Sequence, residues 1–548
     1  MICRSPTHTL VNKWNRIVNR ASLIPFGGSL CDLHVHLDGS VPLQHILHTP
    51  AMQSCFTLDE AQAPASTQCS QHLKHCGDDT SVPASPPGRE GLLQRRIWQR
   101  DVSRYMGALG AATPQGGTSL AVFDFMNAHL QTANDMRAAV AGIDARCSPG
   151  VTSEIRFCPS LHTHRGLSAR GAVRAVQDAV GLGRTVTLCA LRHLGLGHFQ
   201  EVLALAEEFG CAVDIAGDEG AAPFATGQCW AGRGGTTALA GLDMFVDAAQ
   251  QGRIRGVTAH AGEWPGTDAS LAAAARSLGR AQTNARLGHA LQFGPRAQAE
   301  LQTIRRGLGK GSEGGERRSS LHNAHMLENL HGTLGPGLCF GSGSGGENRI
   351  TIEVCLTSNV AGSERRGQPI WYHEHPLPLM VLAKQPVVLC TDNHVTSGNA
   401  YTGPAALRRE QAHAFMCLAQ LAVHLDLPQW RAARGSRETR HSVGWLHQRL
   451  RQQEAGPMYS ALCSEQNEGN QRVLHSLLWA WSHVWEMGVR SHEVAFTARG
   501  SEPKWRLLRE QMLPSHATQT AVLHALSESS WYEKDLWRFV LEDAAARF

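Results

Sequence analysis

With 548 residues, 42% of them hydrophobic, the chain has material for one large α/β domain or two to three of average size. Its 51 basic and 47 acidic side chains leave a net charge of +4, a near-balance that speaks against the concentrated basic face of a nucleic-acid-binding protein. No apolar run is long enough to span a bilayer, and 15 cysteines with no Cys-x-x-Cys pair point to a reducing compartment, the cytoplasm, rather than to a disulfide framework.

Residues 1–29 carry Arg4, Lys13, Arg16 and Arg20 and no acidic residue. Leu10, Val11, Trp14, Ile17 and Val18 recur at helical spacing. A mitochondrial presequence has this character. The reading adopted is a helical extension packed beneath the first strand.

That strand is Cys31-Asp32-Leu33-His34-Val35-His36, and Asp38-Gly39 follow where it must turn. Side chains alternate faces along a strand, so His34 and His36 point the same way and supply half of a metal site. Seven further β-rich runs follow: 153–158, 185–190, 212–217, 256–260, 285–289, 351–355 and 386–392. Helix-length stretches such as Gly166–Gly181, Phe199–Phe209, Leu239–Gln251 and Ser270–Leu278 separate the second run through the sixth. Alternation of this kind implies parallel pairing and an α/β fold, a (β/α)8 TIM-type barrel. A doubly wound open sheet also alternates, but no Gly-x-Gly-x-x-Gly opens a helix after the first strand. Residues 30–548 are therefore expected to form a single barrel domain with long loop insertions near 51–91, 294–348 and 429–470. The first, rich in Ser, Pro and Ala, and the second, with glycine runs at 307–315 and 341–346, read as largely disordered.

Four strand ends carry the candidate chemistry: His34 and His36 on the first, His260 with Glu263 on the fifth, His289 on the sixth, Asp392 on the eighth. A barrel opens all its strand C-termini on one face. Three neutral imidazoles and a carboxylate can hold Zn²⁺ with a position left for water. The metal then lowers the pKa of that water, and a neighbouring acid and base complete a hydrolytic site.

His34-Val35-His36-Leu37-Asp38-Gly39, Thr258-Ala259-His260-Ala261-Gly262-Glu263, Gly288-His289, Glu353-Val354-Cys355 and Thr391-Asp392 together resemble the adenosine deaminase family, in the family's order. Glu154-Ile155-Arg156-Phe157 and Asp214-Ile215-Ala216-Gly217-Asp218-Glu219 resemble its second and fourth strands. The likeness spans about Leu30 to Leu425, and Val494–Leu513 resembles the family's closing helix. The resemblance implies one Zn²⁺ per subunit held by His34, His36, His260 and Asp392. It implies Glu263 as the proton donor to purine N1, and His289 as base and electrostatic partner of the attacking water. Asp38 matches the acceptor for the ribose 5′-hydroxyl, and Gly217 the backbone N–H that meets purine N3. Asn393 stands where many members carry a second aspartate; it can still donate to purine N7. Leu356 replaces a common proline. Relatives acting on nucleoside monophosphates tend to have asparagine at position 38, and those acting on adenine tend to have glutamate. Asp38 therefore implies a nucleoside partner: adenosine, then 2′-deoxyadenosine, hydrolysed to inosine and ammonia in purine salvage.

Alternatives in the sequence are a related deaminase of adenine, a modified adenosine or a nucleotide, and a binding homologue with impaired catalysis. A two-metal amidohydrolase would need a bridging lysine, which the fourth and fifth runs lack. The cytosine-deaminase pattern of H-x-E with P-C-x-x-C is absent. Asp218 and Glu219 read equally well as helix caps or as groups orienting the site. Phe123 and Phe125 are candidate lid residues. Cys69–Cys76 resembles a zinc knuckle with unusual spacing, and His162, His164, His373 and His375 read as loop histidines.

Overall fold

A computed structural model of the chain describes residues 8–26, 30–41, 126–127, 129–144, 151–180, 185–220, 222–224, 235–281, 285–307, 350–365, 370–393, 404–424, 468–496, 516–527 and 531. Among them eight strands form one sheet in chain order: β1 (Leu30–His36), β2 (Val151–Phe157), β3 (Val186–Leu191), β4 (Ala212–Ala216), β5 (Val257–Ala261), β6 (Ala285–His289), β7 (Thr351–Val354) and β8 (Val387–Leu389). Each pairs in parallel with the next. The ring closes through Asp392, whose N–H donates to His34 O at 2.8 Å and whose carbonyl accepts from His36 N at 3.0 Å. This is the (β/α)8 barrel the alternation implied. Its seam runs through three of the four candidate ligands.

The helices in chain order are α1 (His8–Ala21), the single turn α2 (Leu37–Ser40), α3 (Ala133–Asp144), α4 (Ala169–Val180), α5 (Leu196–Phe209), α6 (Gly235–Gln250), α7 (Asp268–Leu278), α8 (Pro295–Gly307), α9 (Leu356–Arg365), α10 (Leu377–Leu382), α11 (Pro404–His424), α12 (Glu468–Glu493) and α13 (His516–Ser527). Helices cover the outer face of the strands, so β3 to β8 are buried almost throughout. That is why these runs read as apolar from end to end instead of alternating. None of the described helices is long and apolar enough to cross a membrane.

Inside the ring the inward positions are charged. Arg156 donates to Asp214 at 2.9 Å and to Glu353 at 3.0 Å, and Arg286 pairs with Glu353 at 2.7 Å and with Glu154. Arg156, Arg286 and Glu353 are fully buried. Buried charges of this kind persist only when each has an opposite partner. Residues Val494–Phe496 seal the bottom: the Arg286 guanidinium lies 3.6 Å from the centroid of the Phe496 ring, and Phe496 N–H donates to Glu154.

Three expectations change. Residues 295–307 of the second insertion form α8, with Ala297 and Leu301 buried; Pro295 presets its first turn and the apolar spacing packs it against α7. The helix before the expected closing segment is α12, packed on α11, β8 and β1; it ends at Glu493, and Val494–Phe496 that follow are not helical. The α1 helix packs on α11, with Trp14 Nε1 donating to His413 Nδ1 at 3.1 Å. Residues 51–91, 308–348, 429–467 and 497–513, the knuckle at 69–76, and Phe123 and Phe125 lie outside the described residues.

Candidate active site

The C-terminal ends of β1, β5 and β8 bring four donor atoms to one point. His34 Nε2 lies 3.3 Å from His36 Nε2, which lies 3.0 Å from His260 Nε2. Asp392 Oδ1 stands 3.4 Å from His34 Nε2 and 3.5 Å from His36 Nε2. All four residues are buried, at 0%, 8%, 6% and 2% exposure for His34, His36, His260 and Asp392. In a tetrahedral site with Zn–N near 2.0–2.1 Å, ligand atoms stand roughly 3.3 Å apart, so the spacing suits that ion.

The chemistry of the donor set agrees. Glu353 Oε2 lies 2.8 Å from His34 Nδ1, and Asp214 Oδ2 lies 3.0 Å from His260 Nδ1. Burial pushes both carboxyls up, but Arg156 on both, Arg286 on Glu353 and His260 on Asp214 outweigh it and hold them below the usual carboxylate range. Ionised carboxylates only accept, so each histidine keeps its proton on Nδ1 and turns an Nε2 lone pair inward. Burial also drives the His36 imidazole toward its neutral form. Among the described residues no group donates a hydrogen bond to Asp392 Oδ1, while its Oδ2 accepts from the Ser358 hydroxyl. Lone pairs crowded this closely repel one another unless a cation sits among them. His34, His36, His260 and Asp392 would hold it.

Donor atoms of His34, Cys355 and Asp392, and of His34, His260 and His289, also lie within 4.8 Å of one another. Burial pushes the Cys355 thiol well above its ordinary value, whereas ligation needs a thiolate. His289 Nε2 lies 4.0 Å from Asp392 Oδ2 and 4.0 Å from Glu263 Oε2, which places it beside the cluster, facing Glu263. His289 and Asp392 both adopt left-handed backbone, with φ of 67° and 60°. Such strain in non-glycine residues collects at functional sites.

Glu263 sits at the rim on a loop that Glu219 anchors. The two carboxylate oxygens of Glu219 accept from Gly262 N at 3.0 Å and Glu263 N at 2.9 Å, and Ser270 Oγ also donates to Glu219 at 2.6 Å. Between the two roles open for Glu219, the structure selects the orienting one. Arg192 donates to the carbonyl of His260 at 2.5 Å and steadies the same corner.

Asp38 is buried in α2, and burial raises its carboxyl to about 7. Gly39 beside it lets Asn393 approach: a Cβ there would lie 1.8 Å from Asn393 Oδ1. Gly217, at the end of β4, has φ of 101°, open to glycine and strained for other residues.

Several residues of the site escaped the sequence reading as functional groups. Asp214, Glu353 and Ser358 set the ligands, and their signal was position alone, at or just inside the C-terminal rim. His375 lies in the bend before α10, a loop histidine as read, but it is buried and its Nε2 lies 2.8 Å from Asn359 Nδ2. Asn359 Oδ1 in turn lies 2.8 Å from His289 Nδ1. His162 is a packed histidine whose Nδ1 donates to Leu130 O at 2.8 Å.

No family model matches the chain. An adenosine deaminase of Enterococcus faecalis is 32% identical over 110 residues, a match covering 18% of this chain and 33% of that protein; the chain thus spans about a third of this relative's length. Among solved structures, the apo N6-methyl-AMP deaminase from Arabidopsis thaliana is 15% identical with a TM-score of 0.47, over 91% of this chain and 100% of its own. Arabidopsis ADAL complexed with GMP is 14% identical with a TM-score of 0.48, over 91% and 100%. A Burkholderia ambifaria amidohydrolase with bound Zn is 11% identical with a TM-score of 0.45, over 96% and 97%. In its sequence match, and in the order of its motifs around an eight-stranded parallel barrel, the chain resembles the adenosine deaminase family.

Proposed function

We propose that the protein is a zinc-dependent hydrolytic deaminase that converts adenosine and 2′-deoxyadenosine to inosine or deoxyinosine and ammonia. One observation carries the reading: three Nε2 lone pairs and a carboxylate oxygen that has no hydrogen-bond donor among the described residues meet within 3.0–3.5 Å, beside Glu263 and His289. The Enterococcus relative, named adenosine deaminase, supports the substrate class.

When bound, the ion lowers the pKa of a water molecule toward neutrality and so supplies the nucleophile. The protein's residues do the rest. Attack at purine C6 forms a C–O bond and breaks the ring's aromaticity, and the electron pair displaced moves to N1. Glu263, half-sheltered and held by the Glu219-anchored loop, supplies the proton there. As the C6–N bond breaks, the proton of the added hydroxyl passes to the exocyclic amine, C6 becomes a carbonyl and ammonia leaves. His289 faces the attacking oxygen from β6. Gly217 N–H meets purine N3, Asn393 meets N7, and Asp38 accepts the ribose 5′-hydroxyl, which a phosphate at that position would turn into a repulsion.

The test is zinc stoichiometry on purified protein together with the loss of adenosine absorbance, run beside adenine, adenosine monophosphate and N6-methyl analogues. One zinc per chain with adenosine as the best substrate is the expected result. Adenosine as the poorest substrate would overturn the nucleoside assignment, and metal-free protein with full activity would overturn the mechanism.

A further inference from the structure

We propose that His375 and Asn359 act as positioning residues that make His289 Nδ1 an acceptor and keep its proton on Nε2, so that His289 meets the reacting centre as a hydrogen-bond donor and not as the base. The consequence for catalysis rests on the function proposed above; the tautomer itself does not.

The argument starts at α10. Leu377 N–H, in the first turn of that helix, donates to His375 Nδ1 at 3.0 Å. Nδ1 is therefore a lone pair, and the ring is not an imidazolium. Burial, which brings His375 down to about 3, agrees. A neutral imidazole carries one N–H, so the proton of His375 is on Nε2 and must be donated. Both ring nitrogens meet polar partners, at 3.0 Å and 2.8 Å, and a flipped ring would offer carbon to each. The orientation is fixed.

The Nε2–H of His375 needs an acceptor, and its neighbour is the Asn359 carboxamide, 2.8 Å away. The oxygen and nitrogen of a carboxamide are alike in shape, and hydrogen-bond partners decide which is which. With NH2 turned to His375 two donors would face each other at a carboxamide only 1% exposed. The consistent arrangement turns the Asn359 oxygen to His375. Its NH2 then donates across the 2.8 Å gap to His289 Nδ1.

His289 Nδ1 is thus an acceptor and its proton lies on Nε2. That atom stands 4.0 Å from both Glu263 Oε2 and Asp392 Oδ2, on the side where the attacking oxygen would lie. The arrangement begins at a backbone N–H, the one member that cannot change its role.

The direct test is a two-bond ¹H–¹⁵N correlation spectrum of the zinc-loaded protein labelled with ¹⁵N-histidine, with the His289 signal identified by its loss in His289→Gln. The expected spectrum shows pyrrole-type Nε2 and pyridine-type Nδ1 for His289; the reverse pattern overturns the proposal. Asn359→Asp replaces the NH2 by an acceptor, so His289 should move its proton to Nδ1, and an unchanged tautomer in that variant also overturns it. With zinc content unchanged, Asn359→Asp should lower kcat on adenosine about tenfold or more while KM stays within about threefold; wild-type kcat with a reversed tautomer would remove the catalytic consequence. If Asn359→Asp does not fold, the wild-type spectrum decides by itself. Absence of deamination in the wild type would count against the proposed function and leave the spectra to judge the tautomer.

Discussion

Glu353→Gln tests whether the charged interior holds the site. Four donors converge on this carboxylate: on Oε2, His34 Nδ1 at 2.8 Å, Arg156 at 3.0 Å and Thr258 Oγ1 at 3.5 Å, and on Oε1, Arg286 Nε at 2.7 Å. The Arg286 contact is close without being aligned as a hydrogen bond, so it is chiefly an ion pair. Glutamine offers one acceptor. With its oxygen toward His34 and Arg156, its NH2 faces the Arg286 guanidinium; turned over, the NH2 faces Arg156 and pushes the His34 proton to Nε2, into the ligand cluster. Breaking a buried pair costs about 3–5 kcal/mol, a large share of the roughly 5–15 kcal/mol that holds a typical protein folded. Zinc affinity should fall about 10–100-fold, as when a group that orients a ligand is lost. Urea unfolding of the metal-stripped protein reads the first effect, and chelator competition reads the second on samples with native circular dichroism. A stability change under about 1 kcal/mol together with undiminished zinc affinity would refute the reasoning that the buried carboxylate is indispensable to both.

Glu410, buried in α11, accepts from Thr357 N on both oxygens at 3.2 Å, and burial raises its carboxyl from 4.5 to about 8. The unfolded chain therefore releases this proton first, and the folded state loses stability as pH climbs from 4.5 to about 8, then levels off. Glu410→Gln should gain on the wild type across that window; urea midpoints showing the same gap at both ends would contradict the assignment. Glu263→Gln should keep its zinc and lose more than about nine-tenths of kcat, and a variant retaining more speaks against Glu263 as the proton donor. In Gly39→Ala the added methyl would stand 1.8 Å from Asn393 Oδ1 and 3.0 Å from its Cβ, so Asn393 is displaced and KM for adenosine should rise about tenfold; an unchanged KM would show that Asn393 does not meet the purine. Asp392→Ala should bind no zinc and turn over no substrate, and full metal occupancy would remove Asp392 from the ligand set.

Much of the architecture was legible before any coordinates. Strand formation and the alternation of side chains are local properties, so eight runs in chain order and the shared face of His34 and His36 could be read from spacing alone. The boundaries fell within a few residues of the observed strands. The second insertion was misjudged where its first turns continue the barrel's alternation: Pro295 through Gly307 form α8, and the glycine run that suggested disorder starts only at that helix's last residue.

The sequence by itself determined the strand order, the inward-facing histidines and the residue types able to hold a cation. Only the tertiary structure decided which lone pairs face one another. The tautomers of His34, His260 and His289 depend on Glu353, Asp214 and the pair Asn359–His375, and all but His375 with Asn359 lie on different strands from the histidines they orient. A proton's position on an imidazole is set by its partner across the ring of strands, and such partners are near only because the barrel closes through Asp392 onto β1.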